Sequence, residues 1–123
     1  MVPHRRILIV EDELFVAMDI GLVVLRAGHH VVGFAATAEG ALALVQETEP
    51  DLVLMDIHLA GTRDGVDAAI EIRERFDIPA LIIRAYTEAP TRERAMPARP
   101  LGFMTKPFDY KLLAVALDGA LKP

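Results

Sequence analysis

The sequence has 123 residues, no cysteine and a formal net charge of −5 at pH 7. This length predicts a single domain with a substantial core, and the missing cysteine excludes disulfides, thiol catalysis and thiolate metal sites. The acidic balance argues against nucleic-acid binding. No apolar run is long enough to span a membrane, so we expect a cytoplasmic protein.

Short apolar runs alternate along the chain with segments of helical length. The runs typical of strands lie at 6–10, 30–36, 51–56, 80–83 and 101–105. The segments typical of helices lie at 13–28, 37–48, 64–76 and 109–121. Thr37 is a predicted N-cap and Gly28 a predicted helix stop. A fourth helix of about two turns is expected within 87–100, where prolines limit its length and Pro90 suits the first helical position.

This alternation predicts the fold class. Strands that are apolar on both faces, separated by helices, indicate an α/β protein with a doubly wound parallel sheet covered on both sides. We expect one domain over residues 1–123. The chain stops soon after the last predicted helix, so no output domain is expected.

Charged side chains follow four of the five predicted strands. Glu11 and Asp12 follow the first, Asp56 ends the third, Arg84 ends the fourth and Lys106 follows the fifth. In parallel sheets these ends share one edge, where ligands bind. Three carboxylates so close together raise one another's pKa or recruit a cation. Oxygen ligands of this kind suit a hard ion such as Mg²⁺.

Three motifs carry a resemblance to a known family. "VEDE" (10–13), "LMDIHLAG" (54–61) and "GFMTKPF" (102–108) occur in the order and spacing of the receiver domain of two-component response regulators. The resemblance covers essentially the whole chain. It implies a flavodoxin-like, five-stranded parallel sheet in the order 2-1-3-4-5 with five helices.

The resemblance also implies roles for individual residues. Asp56 matches the phosphoacceptor, which attacks a phosphohistidine of a sensor histidine kinase or phosphotransfer protein. Glu11 and Asp12 match the acidic pair that holds Mg²⁺ with Asp56 and the backbone carbonyl of His58. The family more often has two aspartates at that pair. Lys106 matches the lysine that pairs with Asp56 and later with the phosphoryl group.

Arg84 is the clearest departure from the family pattern, because threonine or serine is usual at this switch position. Three hypotheses stay open. Arg84 pairs with Asp56 or with the phosphoryl group, it turns outward to solvent or Glu88, or the site no longer takes phosphate and the domain is a phosphorylation-independent binding module. Phe103 matches the aromatic residue that changes rotamer on activation.

Two further hypotheses concern activity and association. A Mg²⁺-dependent aspartate-nucleophile phosphatase typically has a second aspartate where this chain has His58, so we expect a phosphoacceptor rather than an enzyme. We therefore expect signalling through phosphorylation-dependent protein contacts. The first and last predicted helices are poor in charge, and this apolar surface suggests a docking face for a kinase helix pair or for another copy of the chain. We expect a homodimer built on these two helices.

Overall fold

The computed structural model describes residues 4–85, 91–106 and 109–121. The strands are β1 (Arg6–Val10), β2 (His30–Ala35), β3 (Leu52–Asp56), β4 (Ala80–Ala85) and β5 (Gly102–Lys106). The helices are α1 (Leu14–Arg26), α2 (Ala38–Thr48), α3 (Gly65–Phe76), α4 (Thr91–Ala95) and α5 (Tyr110–Ala120). A 3₁₀ turn (Met96–Ala98) follows α4 directly, so the prediction of a short fourth helix is confirmed.

The strands form one parallel sheet in the order β2-β1-β3-β4-β5, as predicted. The jump from β2 back to β1 and then to β3 places a switch in strand order beside β1 and β3. Ligands in such sheets bind beyond the carboxyl ends of the strands at this switch. The fold therefore directs attention to the residues that follow β1 and β3.

The two faces of the sheet carry separate apolar cores, because side chains alternate along each strand. Residues such as Ile9, Leu54 and Ile83 point toward α1 and α5. Toward α2, α3 and the 3₁₀ turn point residues such as Val53 and Ile82. Both faces are buried, which explains why the strands are apolar throughout rather than alternating.

Local signals set the helix ends. The Thr37 hydroxyl accepts a hydrogen bond from the Gly40 amide at 2.9 Å, and the Asp64 carboxylate caps α3 by accepting from the Asp67 amide at 3.0 Å. Gly28 adopts a φ of 91° just after α1, a conformation that favours glycine, so its predicted role as a stop is confirmed. Pro90, Pro107 and Phe108 lie outside the described residues.

The helix α1 packs against α5 on one face of the sheet. Its buried side is formed by small and apolar residues such as Ala17, Ile20 and Val24. Three of its exposed apolar side chains, Met18, Leu22 and Leu25, line an open apolar groove together with the edge strand β2. None of the described helices combines the length and apolar character needed to cross a membrane.

Candidate functional site

Three carboxylates meet at the edge of the sheet where the strand order switches. We call Glu11, Asp12 and Asp56 the acidic cluster; one oxygen from each lies within 4.8 Å of those of the other two. Glu11 and Asp56 are only 4% and 2% exposed, whereas Asp12 is exposed. The prediction that the strand ends bring these carboxylates together is confirmed.

Lys106 neutralises part of this charge. Its ammonium donates to Glu11 Oε1 at 2.8 Å and to Asp56 Oδ2 at 3.1 Å. Burial lowers the pKa of Lys106, but the hydrogen bond to Glu11 and the charge of Asp56 outweigh burial and raise it. The expected contact with Asp56 is therefore present. The sequence did not indicate the closer contact with Glu11, 95 residues away.

The acidic cluster fits a hard divalent cation. Burial, together with the hydrogen bond and the charge of Glu11, raises the pKa of Asp12. Ionising all three carboxylates is therefore unfavourable when Lys106 is the only cation that bonds to the cluster within the described residues. An ion with two positive charges and a preference for oxygen ligands, as Mg²⁺ has, matches this donor set. His58 lies two residues beyond Asp56, with its side chain exposed.

The backbone around Asp56 is held by the start of α3, a contact that the sequence did not indicate. The Gly65 amide donates to the Ile57 carbonyl at 2.8 Å, and the Ile57 amide donates to the Ile83 carbonyl at 3.0 Å. A Cβ atom at Gly65 would overlap the carbonyl oxygen of Asp56. Glycine is needed here for close backbone approach, since Gly65 does not have a positive φ.

Arg84 lies on the other face of the sheet from the acidic cluster. Its Nε lies 3.5 Å from Thr105 Oγ1, the acceptor of a weak hydrogen bond, and its Cζ lies 5.1 Å from the centroid of the Phe103 ring. Neither a hydrogen bond nor an ion pair joins Arg84 to Asp56 in the described part of the chain. Glu88, the alternative partner, is outside the described residues.

A second arginine contacts the same aromatic ring. Arg92 on α4 has its Cζ 4.9 Å from the Phe103 centroid. We call Arg84, Arg92, Phe103 and Thr105 the arginine cluster. It joins the ends of β4 and β5 to α4, and Phe103 is half-buried within it.

An ion pair ties α4 to the segment that follows Asp56. Arg94 on α4 donates to both carboxylate oxygens of Asp64, at 2.6 and 3.4 Å. Burial raises the pKa of Asp64, but the bonds from Arg94 and from the Asp67 amide outweigh it and lower the pKa. This ion pair therefore joins the N-cap residue of α3, at the end of the loop after Asp56, to α4.

The sequence is similar to bacterial regulatory proteins. PdtaR of Mycobacterium tuberculosis, a transcriptional regulatory protein, is 35% identical over 117 residues, covering 95% of this chain and 57% of PdtaR. The phyllosphere-induced regulator PhyR of Methylorubrum extorquens is 38% identical, covering 94% of this chain and 43% of PhyR. The chain thus spans about half the length of the curated relatives that it matches.

Solved structures agree with the sheet order and the helices. The receiver domain of PhyR from Erythrobacter litoralis, solved by NMR, has a TM-score of 0.84 at 36% identity, covering 96% of this chain and 90% of that one. PhyR from Brucella abortus has a TM-score of 0.81 at 36% identity, covering 98% of this chain and 49% of that one. The family model for the response regulator receiver domain matches residues 7–118, and the chain belongs to that family.

Proposed function

We propose that this receiver domain accepts a phosphoryl group on Asp56 from a sensor histidine kinase or a phosphotransfer protein. The observation that carries the proposal is the buried Asp56 carboxylate, 3.1 Å from Lys106 and grouped with two further carboxylates at the switch edge of the sheet. Phosphoryl transfer depends mainly on positioning and charge neutralisation, which this arrangement supports.

In the proposed reaction, an oxygen of Asp56 attacks the phosphorus of a phosphohistidine. The new O–P bond forms as the P–N bond breaks, and the imidazole of the donor leaves. Lys106 is placed to balance negative charge on Asp56 before transfer and on the phosphoryl oxygens after it. The product is an acyl phosphate, so the chain acts as a phosphoacceptor rather than as a classical enzyme.

Glu11, Asp12, Asp56 and the backbone carbonyl of His58 are the proposed ligands of Mg²⁺. When bound, the ion supplies positive charge against the repulsion between the acidic cluster and an incoming phosphoryl group. Glu11 already accepts from Lys106 and from the Glu13 amide at 3.2 Å. We therefore propose that Glu11 would act on the ion through a water molecule.

We propose that the phosphorylated domain signals through protein contacts in the cytoplasm. Relatives with this domain include transcriptional regulatory proteins, and PhyR of Bartonella quintana is an anti-anti-sigma factor. The α4 surface is a suitable output region, since it is tied both to the segment after Asp56 and to Phe103.

Exposed apolar side chains on α1 support a homodimer through the first and last helices, with α1 supplying most of the contact. Phe15, Met18, Leu22 and Leu25 follow the 3-4-3 spacing of a helix seam, and Phe15 is 80% exposed. Phe34 on β2 is also exposed and extends this apolar surface, and contiguous apolar patches on a monomer often mark interaction sites. A dimer interface needs about 800 Å² per partner, which a polar rim and exposed α5 residues can complete.

Light scattering tests this association. Phe15→Asp and Leu22→Asp are expected to shift a dimer mass to that of a monomer, because each places a charge in the seam. Leu101→Asp, at an exposed position just before β5, is the matched control and should leave the mass unchanged. Leu117 is fully buried, so its substitution would test stability instead. An unchanged mass in both α1 variants rejects this interface.

A small phosphodonor, acetyl phosphate with Mg²⁺, tests the main proposal against its alternatives. Stable, stoichiometric labelling that is lost in Asp56→Asn supports a phosphoacceptor, and Glu47→Gln on exposed α2 is the control that should label normally. Continuous release of phosphate over many turnovers indicates a phosphatase. A folded protein that takes no label indicates a phosphorylation-independent binding module.

A further inference from the structure

The Arg84 side chain, at the end of β4, has a buried donor without a hydrogen-bond partner in the described part of the chain. Among the residues that the structure describes, its buried Nη1 atom has no hydrogen-bond partner, and its Nε makes only the 3.5 Å contact with Thr105. Buried donors without partners are rare in folded proteins and need an explanation. Contact with the Phe103 ring compensates part of the charge but satisfies none of the N–H groups.

The register of the sheet places Arg84 within reach of a group added to Asp56. Asp56 pairs with Ile83 across β3 and β4, so Arg84 is the next residue toward the edge where the acidic cluster lies. Neighbouring strands are only about 4.8 Å apart. Rotation about the torsions of a long arginine side chain can therefore carry its guanidinium over the strand end without moving the backbone.

Phosphorylation would give the Arg84 guanidinium a stronger hydrogen-bond acceptor than it has at rest. At rest, Lys106 bonds to both buried carboxylates of the acidic cluster. A phosphoryl group adds negative charge and three strong acceptor oxygens, which match the planar fork of an arginine. An aromatic ring offers no hydrogen-bond acceptor of this strength.

We propose that Arg84 binds the phosphoryl group on Asp56 and leaves the Phe103 ring in doing so. The inference rests on the proposed function. In this chain an arginine takes the position where the family usually has a hydroxyl. Its guanidinium would move from one face of the sheet to the edge of the sheet, whereas a hydroxyl would move only a short distance.

The transfer has a consequence for α4. At rest, two guanidinium groups of like charge contact one ring, from Arg84 on β4 and Arg92 on α4. When Arg84 leaves, Phe103 loses one of its two cationic neighbours and the repulsion between the arginines falls. Phe103 and Arg92 are then free to adopt a different packing, and the surface of α4 changes.

The chain contains no tryptophan, so Phe103→Trp introduces a single fluorescent reporter within the arginine cluster. Emission is recorded before and after addition of acetyl phosphate with Mg²⁺, while labelling of Asp56 is measured in the same samples. Emission is compared between the protein that carries only Phe103→Trp and the protein that carries both Phe103→Trp and Arg84→Gln. Arg92→Gln, which removes the other arginine on the same ring, is the matched control.

The expected result is an emission change on labelling that persists with Arg92→Gln and is lost with Arg84→Gln, although that protein is still labelled. A labelled reporter protein with no emission change, or an equal change with Arg84→Gln, overturns the inference and leaves the proposed function intact. Absence of labelling in every protein, including the unsubstituted chain, overturns both.

A second measurement avoids substitution of Phe103, in case the tryptophan does not fit. Arginine Nε–Hε resonances of the unsubstituted chain are followed by NMR on addition of acetyl phosphate with Mg²⁺. The resonance of Arg84, assigned by its disappearance in Arg84→Gln, is expected to shift. A labelled protein in which that resonance stays in place contradicts the inference.

Discussion

The acidic cluster and the arginine cluster lie at the same end of the sheet but differ in how their charges are satisfied. Glu11 and Asp56 are buried, and both bond to Lys106. Arg84 has a buried donor that finds no partner within residues 4–85, 91–106 and 109–121, and it shares one aromatic ring with another cation. One cluster is held by charge-assisted bonds, whereas the other is held by weaker contacts.

The difference suggests that the acidic cluster and the arginine cluster have separate roles. Charge-assisted hydrogen bonds hold side chains in place, as a phosphoacceptor site requires for positioning. Cation–π contacts without hydrogen bonds are easier to exchange for a stronger partner. We therefore expect the acidic cluster to keep its arrangement and the arginine cluster to rearrange when Asp56 is phosphorylated.

The largest effect on stability is expected at Gly65, where α3 packs closely against the backbone of Asp56. Gly65→Ala should lower the free energy of unfolding by about 2–3 kcal/mol, because the new Cβ would push α3 away from the Asp56 backbone. Labelling of Asp56 should fall as well. Gly119→Ala on α5, where a Cβ meets nothing within 4 Å, is the control and should raise stability by about 0.5–1 kcal/mol. Similar urea midpoints for the two variants would contradict this close packing.

Loss of Lys106 should have the next largest effect on stability. Lys106→Met leaves two buried carboxylates without their shared cation, and we expect about 2 kcal/mol of destabilisation in the absence of metal. Lys111→Met, at an exposed position on α5, should change stability by less than about 0.5 kcal/mol. Urea unfolding with a chelator present measures both variants. Equal stabilities would show that Lys106 does not hold the acidic cluster together.

A pH titration of stability tests the repulsion within the acidic cluster. The pKa of Asp12 is raised by burial and by Glu11, so the folded state binds this proton more tightly than the unfolded state. Stability from this group is present below the unfolded pKa and lost as pH rises through the raised value. Asp12→Asn should therefore be more stable than the unsubstituted chain at pH 7, with the advantage fading as the solution is acidified. If the stability advantage of Asp12→Asn grew toward low pH instead, the pKa of Asp12 could not be raised in the folded state.

The smallest effect is expected from Arg84 in the resting protein. Because its guanidinium lies against Phe103 and Thr105 and makes no bond to the acidic cluster within the described residues, Arg84→Thr should change resting Mg²⁺ affinity by less than about threefold at physiological salt, where salt screens charges that are not in contact. Isothermal titration of Mg²⁺ measures this. A much larger gain in affinity would place the resting guanidinium at the acidic cluster and erase the distinction between the two clusters.

The sequence predicted the parallel sheet and the meeting of the three carboxylates, because apolar runs and strand ends are local features, whereas the strand order was implied by the resemblance to the receiver family. It left the partner of Arg84 open. Alternation along β4 places Ala80, Ile82 and Arg84 toward one face, with Phe103 and Thr105 beside them on β5, so the face of Arg84 was encoded in the register. Which ring or hydroxyl it contacts depends on packing across strands.

Other features depend on contacts between segments that are far apart in the sequence, and no local sequence pattern indicated them. The requirement for Gly65 arises from the distance between α3 and the Asp56 backbone, which neither segment specifies alone. The contact between Lys106 and Glu11 joins the ends of β1 and β5 across the intervening strands. The apolar excess of α1 was visible in the sequence, but its direction toward β2 follows from how the helix is rotated on the sheet.

The most direct test of the account is the site of the phosphoryl group itself. The chain is treated with acetyl phosphate and Mg²⁺, the acyl phosphate is reduced with borohydride, and the peptides are mapped by mass spectrometry. We predict one modified residue per chain, Asp56 converted to homoserine, with none in Asp56→Asn or after chelation of Mg²⁺. Modification at another residue, or modification that persists in Asp56→Asn, would contradict the assignment of Asp56 as the phosphoacceptor.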